Sequence, residues 1–288
     1  MRGPIQIPEA WERIECSGLH GPVLILGAAD SGKSTLARYL SQQLASRARV
    51  ALLDTDLGQN SLFLPTTMAL TLKLSADPEL PRIGPPEQVF FVGSNSPKGY
   101  EARVMVGLYR LLTFAMGQHA RTVIIDTSGF VDPVAGGAAL KWAKIELCMP
   151  CTVIAVQRED EIEPLVRPLR RQRGLHLIEI AASAAVQPRS PVERRAYRAA
   201  RYRAYFAGAA SHPLPLDRLP LFPDAQPVPG RVLAVENAEG FVQAMGLVER
   251  LEGATLWVRT PTAIKEAGAV IRMASLRLDP ATYEDALV

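Results

Sequence analysis

The sequence predicts an α/β fold: a mostly parallel sheet flanked by helices, followed by a small β-rich C-terminal domain. Three observations predict it. Short apolar runs alternate with helical patterns from residue 21 to about 210. A glycine-bearing turn, Gly27-Ala-Ala-Asp-Ser-Gly-Lys33-Ser34-Thr35, joins the first apolar run to the first helix. Beyond a proline-rich stretch the pattern changes to short strands separated by turns. Runs of Val, Ile and Leu that are apolar on both faces belong to parallel sheets covered by helices on both sides.

Composition bounds the reading. A chain of 288 residues suggests one large domain, or one domain with a smaller one appended. The 48% hydrophobic content supports a real core and excludes general disorder. No apolar stretch reaches the length of a membrane span, and the N-terminus lacks the apolar region of a signal peptide. A net charge of only +3 excludes a uniformly basic nucleic-acid binder. Three cysteines, Cys16, Cys148 and Cys151, are too few for a disulfide framework and point to a reducing cytoplasm. Cys148-Met-Pro-Cys151 has no second pair and no nearby histidine, so it reads as two small residues before a buried strand.

In chain order, residues 1–20 read as a lead-in contributing one edge strand. Val23–Leu26 is the first buried strand. Residues 33–48 form the first helix, with Leu36, Tyr39, Leu40 and Leu44 on one face. The turn between them fits GxxxxGK[ST] at every fixed position. Backbone amides and the positive end of the helix dipole there face an anion. Gly27, Ala28, Ala29, Asp30, Ser31 and Gly32 are expected to wrap phosphates, with Lys33 on the β- and γ-phosphates, Ser34 on Mg²⁺ and Thr35 beside it. The fold class is thereby that of the P-loop NTPases.

The next strand, Val50–Leu53, runs into Asp54-Thr-Asp56-Leu-Gly-Gln59. That places two carboxylates at the strand's C-terminal end, where open α/β sheets bind ligands. Residues two apart on a strand share a face, so both can approach the nucleotide, one toward the metal and one as a proton acceptor. Strands at Val89–Val92 and Thr122–Ile125 follow, separated by a helix near 100–118. The second of them ends in Asp126, the usual place for an acidic partner of the loop serine on Mg²⁺. A helix near 134–147, a strand at Thr152–Gln157, a helix near 160–173 and a strand at Leu175–Ile180 complete the alternation.

The helix expected over 191–206 is the one dense basic segment, with six arginines from Arg189 to Arg203 and a single glutamate. Ser190-Pro191 is a good helix start. Arg194, Arg198 and Arg201 share a face. Two readings stand: a lid whose arginines grip phosphates, or a solvated basic face whose tyrosines pack on the core. Residues 211–230 carry six prolines and read as a linker. Residues 231–288 read as the β-rich domain.

These motifs, in this order, resemble the polynucleotide 5′-hydroxyl kinases related to the kinase subunit of the pre-mRNA cleavage machinery and its nucleolar and archaeal relatives. The resemblance covers about residues 20–210. It implies ATP or GTP and Mg²⁺ as cofactors, and 5′-hydroxyl ends of RNA or single-stranded DNA as partners, with no membrane. It implies Asp56 as the general base, Asp54 and Asp126 at the metal, and Arg189 and Arg194 as lid arginines. Gln59 and Arg195 join the nucleotide contacts. Phe91-Val-Gly93-Ser-Asn95-Ser96-Pro97 resembles the clasp that grips the acceptor, with Ser96 or Asn95 in its hydroxyl role. Phe130 stands where the family often has tryptophan and can still stack on a base. Arg198 is placed on the nucleic acid. The large N-terminal domain of the eukaryotic members has no counterpart in this sequence.

A different class shares part of the pattern. In dimeric regulatory ATPases and metallochaperone GTPases, Asp-x-Asp-Leu-Gly also follows a phosphate loop, and Gln59 would there orient water. Those ATPases usually carry an extra lysine where this chain has Ala28 and Ala29, and the arginine–tyrosine helix has no evident job in such a switch.

Overall fold

A computed structural model describes residues 7–75, 83–223 and 226–288. Its first sheet holds β1 (Gly21–Leu26), β2 (Val50–Thr55), β3 (Thr67–Thr71), β4 (Gln88–Phe91), β5 (Thr122–Thr127), β6 (Cys151–Gln157) and β7 (Leu175–Ala181). Their order is β4-β3-β2-β5-β1-β6-β7. The pairs from β2 to β7 are parallel, while β3 and β4 are antiparallel additions at one edge. The helices are α1 (Glu9–Glu12), α2 (Lys33–Ala45), α3 (Glu101–Gly117), α4 (Gly137–Cys148), α5 (Glu163–Leu169) and α6 (Pro191–Tyr205). None is long and apolar enough to cross a membrane.

The period-2 alternation of strand side chains divides the core into two layers. Leu24, Leu26, Leu53, Ile125 and Val153 face α3 and α4. Val23, Ile25, Leu52, Ile124 and Ile154 face α2 with its Leu36, Leu40 and Leu44. The register pairs Asp54 with Asp126 and Thr55 with Thr127, so both acidic strand tips end side by side.

Three expectations are corrected. Residues 7–20 of the expected lead-in form α1 and a 3-10 turn rather than an edge strand, and residues 1–6 lie outside the described residues. Trp11 explains the helix: it is buried against α2, with its ring 5.7 Å from that of Tyr39. β3 has no counterpart among the expected strands. It is five residues long and draws its stability from β2 and β4 on either side. The expected linker at 211–230 contains β8 (Ala210–Pro215) and β9 (Leu221–Phe222), with residues 224–225 outside the described set. β8 tolerates Pro213 and Pro215 because it lies at a sheet edge, where one side needs no amide donors.

That second sheet adds β10 (Arg231–Glu236), β11 (Val242–Glu252), β12 (Thr255–Thr260), β13 (Val270–Leu278) and β14 (Asp285–Leu287). It runs β14-β13-β10-β11-β12-β8, with β9 on β13. It is packed onto the first unit rather than tethered to it. Phe91, Tyr202 and Phe206 share a core cluster with Val232, Met245 and Leu276. Buried Glu236 accepts hydrogen bonds from Arg103 of α3 and Arg272 of β13, and Ser275 N donates to Gly93 O at 2.8 Å. Cys148 and Cys151 are buried and unpaired between α4 and β6, and burial pushes their thiols up to about 12 and about 11. They stay protonated and unreactive, as small core residues do.

Candidate nucleotide and acceptor site

The phosphate loop leaves β1 and enters α2 through Gly32, whose φ of +94° suits glycine. Gly27 is required by space: a Cβ there would stand 2.4 Å from Val156 O. Lys33 is buried, and its Nζ donates to Ala28 O and to Ser31 Oγ. Burial lowers its pKa, and Asp126, Asp56 and Asp30 oppose that shift.

A cavity of about 430 Å³ opens above the loop. From the loop, Ala29, Asp30, Gly32, Lys33, Ser34 and Thr35 line it. Asp56 and Gln59 enter from the end of β2, Asn95 and Ser96 from beyond β4, and Phe130 from beyond β5. Arg189, Arg194 and Arg198 reach it from the start of α6. Segments as far apart in sequence as Ala29 and Arg198 therefore converge. Arg195, also expected at the nucleotide, does not line the cavity. It is half-exposed and faces Glu284 at 4.0 Å rather than the cavity. Neighbours on a helix point about 100° apart, so α6 can aim Arg194 or Arg195 into the site but not both.

The three aspartates have three different settings. Asp54 is buried, and both its oxygens serve the following loop: Oδ1 accepts from Asp56 N at 2.9 Å, and Oδ2 accepts from Ser61 N and Ser61 Oγ at 2.7 and 2.8 Å. Both oxygens of Asp54, expected at the metal, are thus engaged by this loop. Asp56 Oδ1 accepts from Gly58 N and Gln59 N, both at 2.9 Å. Those two amides lock the carboxylate's orientation, and Oδ2 makes no hydrogen bond among the described residues. Asp126 is buried with Oδ1 unpartnered among the described residues. A buried carboxylate oxygen without a partner is costly unless something positive completes it. With Ser34 beside it, this oxygen fits Mg²⁺, which takes one or two carboxylates and keeps its remaining positions for water and phosphate.

Desolvation raises Asp54 to about 8, with help from Asp126 and Asp56. Desolvation also raises Asp126 to about 6, against the pull of Ser34 and Lys33. Both groups start from an ordinary value of 3.8. Between the unfolded and folded values the folded chain binds more protons, so these groups make stability fall as pH rises. In Mg²⁺-free buffer the stability of the wild type relative to Asp54→Asn is expected to fall from about pH 5 to about pH 8, while buried Lys141, whose pKa burial lowers well below its ordinary value, acts in the opposite direction in both proteins. A wild-type advantage over Asp54→Asn that grows across that interval contradicts the raised pKa of Asp54.

On the acceptor side, α6 begins with a capping box. Glu193 N donates to Ser190 Oγ, and Ser190 N donates to Glu193 Oε2. The box turns the positive helix terminus toward the cavity. Arg189 N donates to Asp30 Oδ2 at 3.1 Å, Arg189 Nη1 donates to Gln59 Oε1 at 3.0 Å, and Arg194 pairs with Asp30. The start of α6 and the phosphate loop are thus tied through one loop aspartate. Farther along, Tyr197 OH donates to Asn60 O, Arg201 to Phe63 O, and Tyr202 is fully buried. The two ends of this helix differ: its first turns line the cavity beside the phosphate loop, and its last turns are core. Ser96 Oγ accepts from Lys98 N at 3.3 Å, and Asn95 Nδ2 donates to Asp285.

Gly129 is a second position set by space. A Cβ there would stand 2.5 Å from both the N and Cα of Ala29, in the phosphate loop. Gly129→Ala is expected to cost about 1–3 kcal/mol by overpacking, and to weaken nucleotide binding more than that cost alone explains. Denaturant unfolding and a nucleotide titration check the two effects separately.

Sequence reasoning missed Asp285, Lys141 and Lys144. Asp285 Oδ1 accepts from Arg198 Nε at 2.8 Å and so ties β14 to the site. No local signal marks it, because the contact spans 87 residues. The two lysines stand three apart in a helix whose one other charged residue is Glu146, a pattern that could have singled them out.

Comparisons with known proteins bear on the same residues. Residues 27–208 match the family described as the mRNA cleavage and polyadenylation factor CLP1 P-loop. A polyribonucleotide 5′-hydroxyl-kinase of Thermococcus kodakarensis is 36% identical over 193 residues, covering 64% of this chain and 51% of that protein. One from Methanocaldococcus jannaschii is 31% identical over 185 residues, covering 64% and 50%. The polynucleotide 5′-hydroxyl-kinase NOL9 of Arabidopsis thaliana is 36% identical over 143 residues, covering 43% and 39%. The chain spans about half the length of the archaeal relatives it matches. Among solved structures, Clp1p in a complex with Pcf11p aligns over 93% of this chain and 77% of its own, with a TM-score of 0.66 at 16% identity.

Proposed function

Because this chain belongs to the CLP1 P-loop family, we propose that it transfers the γ-phosphoryl group of ATP or GTP to the 5′-hydroxyl end of RNA or single-stranded DNA. One observation carries the proposal. Asp56 presents one carboxylate oxygen fixed by two backbone amides and the other without a hydrogen bond among the described residues, in a cavity shared by the phosphate loop and the arginine-bearing helix.

Placement supports the following roles on this reading. Lys33 and the first turn of α2 hold the donor phosphates. Ser34 and Asp126 hold Mg²⁺, which when bound offsets charge on the phosphate oxygens. Asn95 and Ser96 position the acceptor end, and Phe130 offers its ring to a base. Asp56 Oδ2 accepts the proton of the attacking 5′-hydroxyl. Arg189 and Arg194 neutralise charge spreading over the transferring group, as preorganised cations do. Positioning and electrostatics carry such a transfer, since the protein forms no covalent bond. The unpaired cysteines agree with a reducing cytoplasm as the place of action.

The test is direct. Purified protein with Mg-ATP or Mg-GTP is expected to phosphorylate 5′-hydroxyl oligonucleotides of RNA or DNA, and comparing the four combinations gives donor and acceptor preference. Nucleotide hydrolysis that leaves every oligonucleotide unphosphorylated, and that oligonucleotide does not affect, would instead favour a nucleotide switch.

A further inference from the structure

Lys141 and Lys144 of α4 are 0% and 1% exposed, and among the described residues neither forms a salt bridge. A buried ammonium is costly and survives only where something repays it. Each lysine reaches the tip of one acidic strand. Lys144 Nζ donates at 2.9 Å to Oγ1 of Thr55, the residue between Asp54 and Asp56. Thr55 Oγ1 in turn donates to Asp126 O at 2.8 Å, so one hydroxyl links the lysine to both acidic tips. Lys141 Nζ donates to Ser128 O, two residues beyond Asp126.

We propose that Lys144, with Lys141 beside it, is a positioning residue of the transfer site: from beneath the sheet it holds the tips of β2 and β5 and balances the charge of Asp54, Asp56 and Asp126. The role in transfer rests on the kinase reading; the charge balance does not. Three carboxylates crowded at adjacent strand ends repel one another, and at these distances a buried cation acts more strongly than it would in water. The electrostatics agree. Burial lowers the pKa of Lys144 to about 8, and Asp56, Asp126 and Asp54 all pull it back up. In a purely structural position an apolar side chain of the same length would serve better. Lysine there sacrifices stability for the site, a pattern common at functional positions.

The test uses the full chain with Lys144→Met, Lys144→Gln and, as a second position, Lys141→Met. Three quantities are read: melting temperature, the Mg²⁺ concentration that half-saturates binding of a fluorescent ATP analogue, and single-turnover phosphorylation of a 5′-hydroxyl oligonucleotide. Lys144→Met is expected to melt at or above the wild-type temperature. Its half-saturating Mg²⁺ is expected to fall about threefold or more, because the site has lost a competing positive charge. Its transfer rate is expected to fall at least about tenfold, with nucleotide KM changed less than about threefold. Lys144→Gln, which keeps a donor but no charge, should resemble Lys144→Met. A melting temperature lowered by more than about 5 °C with unchanged Mg²⁺ dependence makes the lysine structural and overturns the proposal. So does full recovery of transfer by Lys144→Gln. If the wild type phosphorylates no oligonucleotide, the kinase reading fails, while the first two measurements still decide the role of Lys144.

Discussion

Asp56→Asn is expected to slow phosphoryl transfer about 10²- to 10⁴-fold while nucleotide binding changes by no more than a few-fold. The geometry makes the substitution unusually clean. Asp56 Oδ1 accepts two backbone hydrogen bonds, from Gly58 and Gln59. The asparagine carbonyl can keep both, so the side chain retains its orientation. The amide nitrogen then stands where Oδ2 stood, and it cannot take a proton from a hydroxyl. Phosphate-loop contacts are left alone, since Lys33 and Ser34 lie on a different element. Single-turnover transfer to a 5′-hydroxyl oligonucleotide, measured beside nucleotide affinity, reads both effects. Activity within tenfold of wild type would remove Asp56 from the role of base. A large loss of nucleotide affinity would place it at the donor instead.

Arg194→Ala carries the second large effect, a loss of about 10³-fold in transfer, the lower end of what an arginine contributes to phosphoryl transfer. Arg194 lines the cavity and reaches the phosphate loop through Asp30. The pair is about one-third exposed on the arginine side, so losing it should cost the fold no more than about 1 kcal/mol. The penalty therefore belongs to the reaction rather than to stability. Arg194→Lys should recover only part of it, because an ammonium cannot fork onto two oxygens. Arg195→Ala is the matched control: that side chain faces Glu284, away from the cavity, and its removal is expected to leave transfer within about threefold. An Arg194→Ala protein that transfers phosphate within tenfold of wild type would show that the helix is not a lid in the chemical sense.

Much of the fold was legible because it is local. The parallel strands announce themselves by Val, Ile and Leu on both faces, and the phosphate loop by glycine and lysine at fixed spacing. The capping box at Ser190 and Glu193 was half visible as Ser190-Pro191. β3 and β8 were not legible, because a five-residue segment and a proline-bearing segment become strands only when a partner offers its backbone. The two uses of α6 could not be separated from sequence either. Helical spacing marks which residues share a face but not which end of the helix meets the core.

The candidate site divides along the same line. The sequence by itself determined the chemical inventory: Lys33 and Ser34 in a phosphate loop, Asp54, Asp56 and Asp126 at strand ends, and arginines at a helix start. Spacing along one element sets what those groups can do, and spacing is written in the chain. Only the tertiary structure decided how the work is shared among like residues. It gave both oxygens of Asp54 to Ser61 and the Asp56 amide, left Asp56 Oδ2 and Asp126 Oδ1 without hydrogen bonds among the described residues, turned Arg194 inward and Arg195 outward, and brought Asp285, Lys141 and Lys144 to the site from elements that carry no motif. The physical reason is that burial and hydrogen-bond partners, which decide whether a carboxylate is bound or available, are supplied by segments as far away as Asn95 is from Asp285, 190 residues. No local pattern records them.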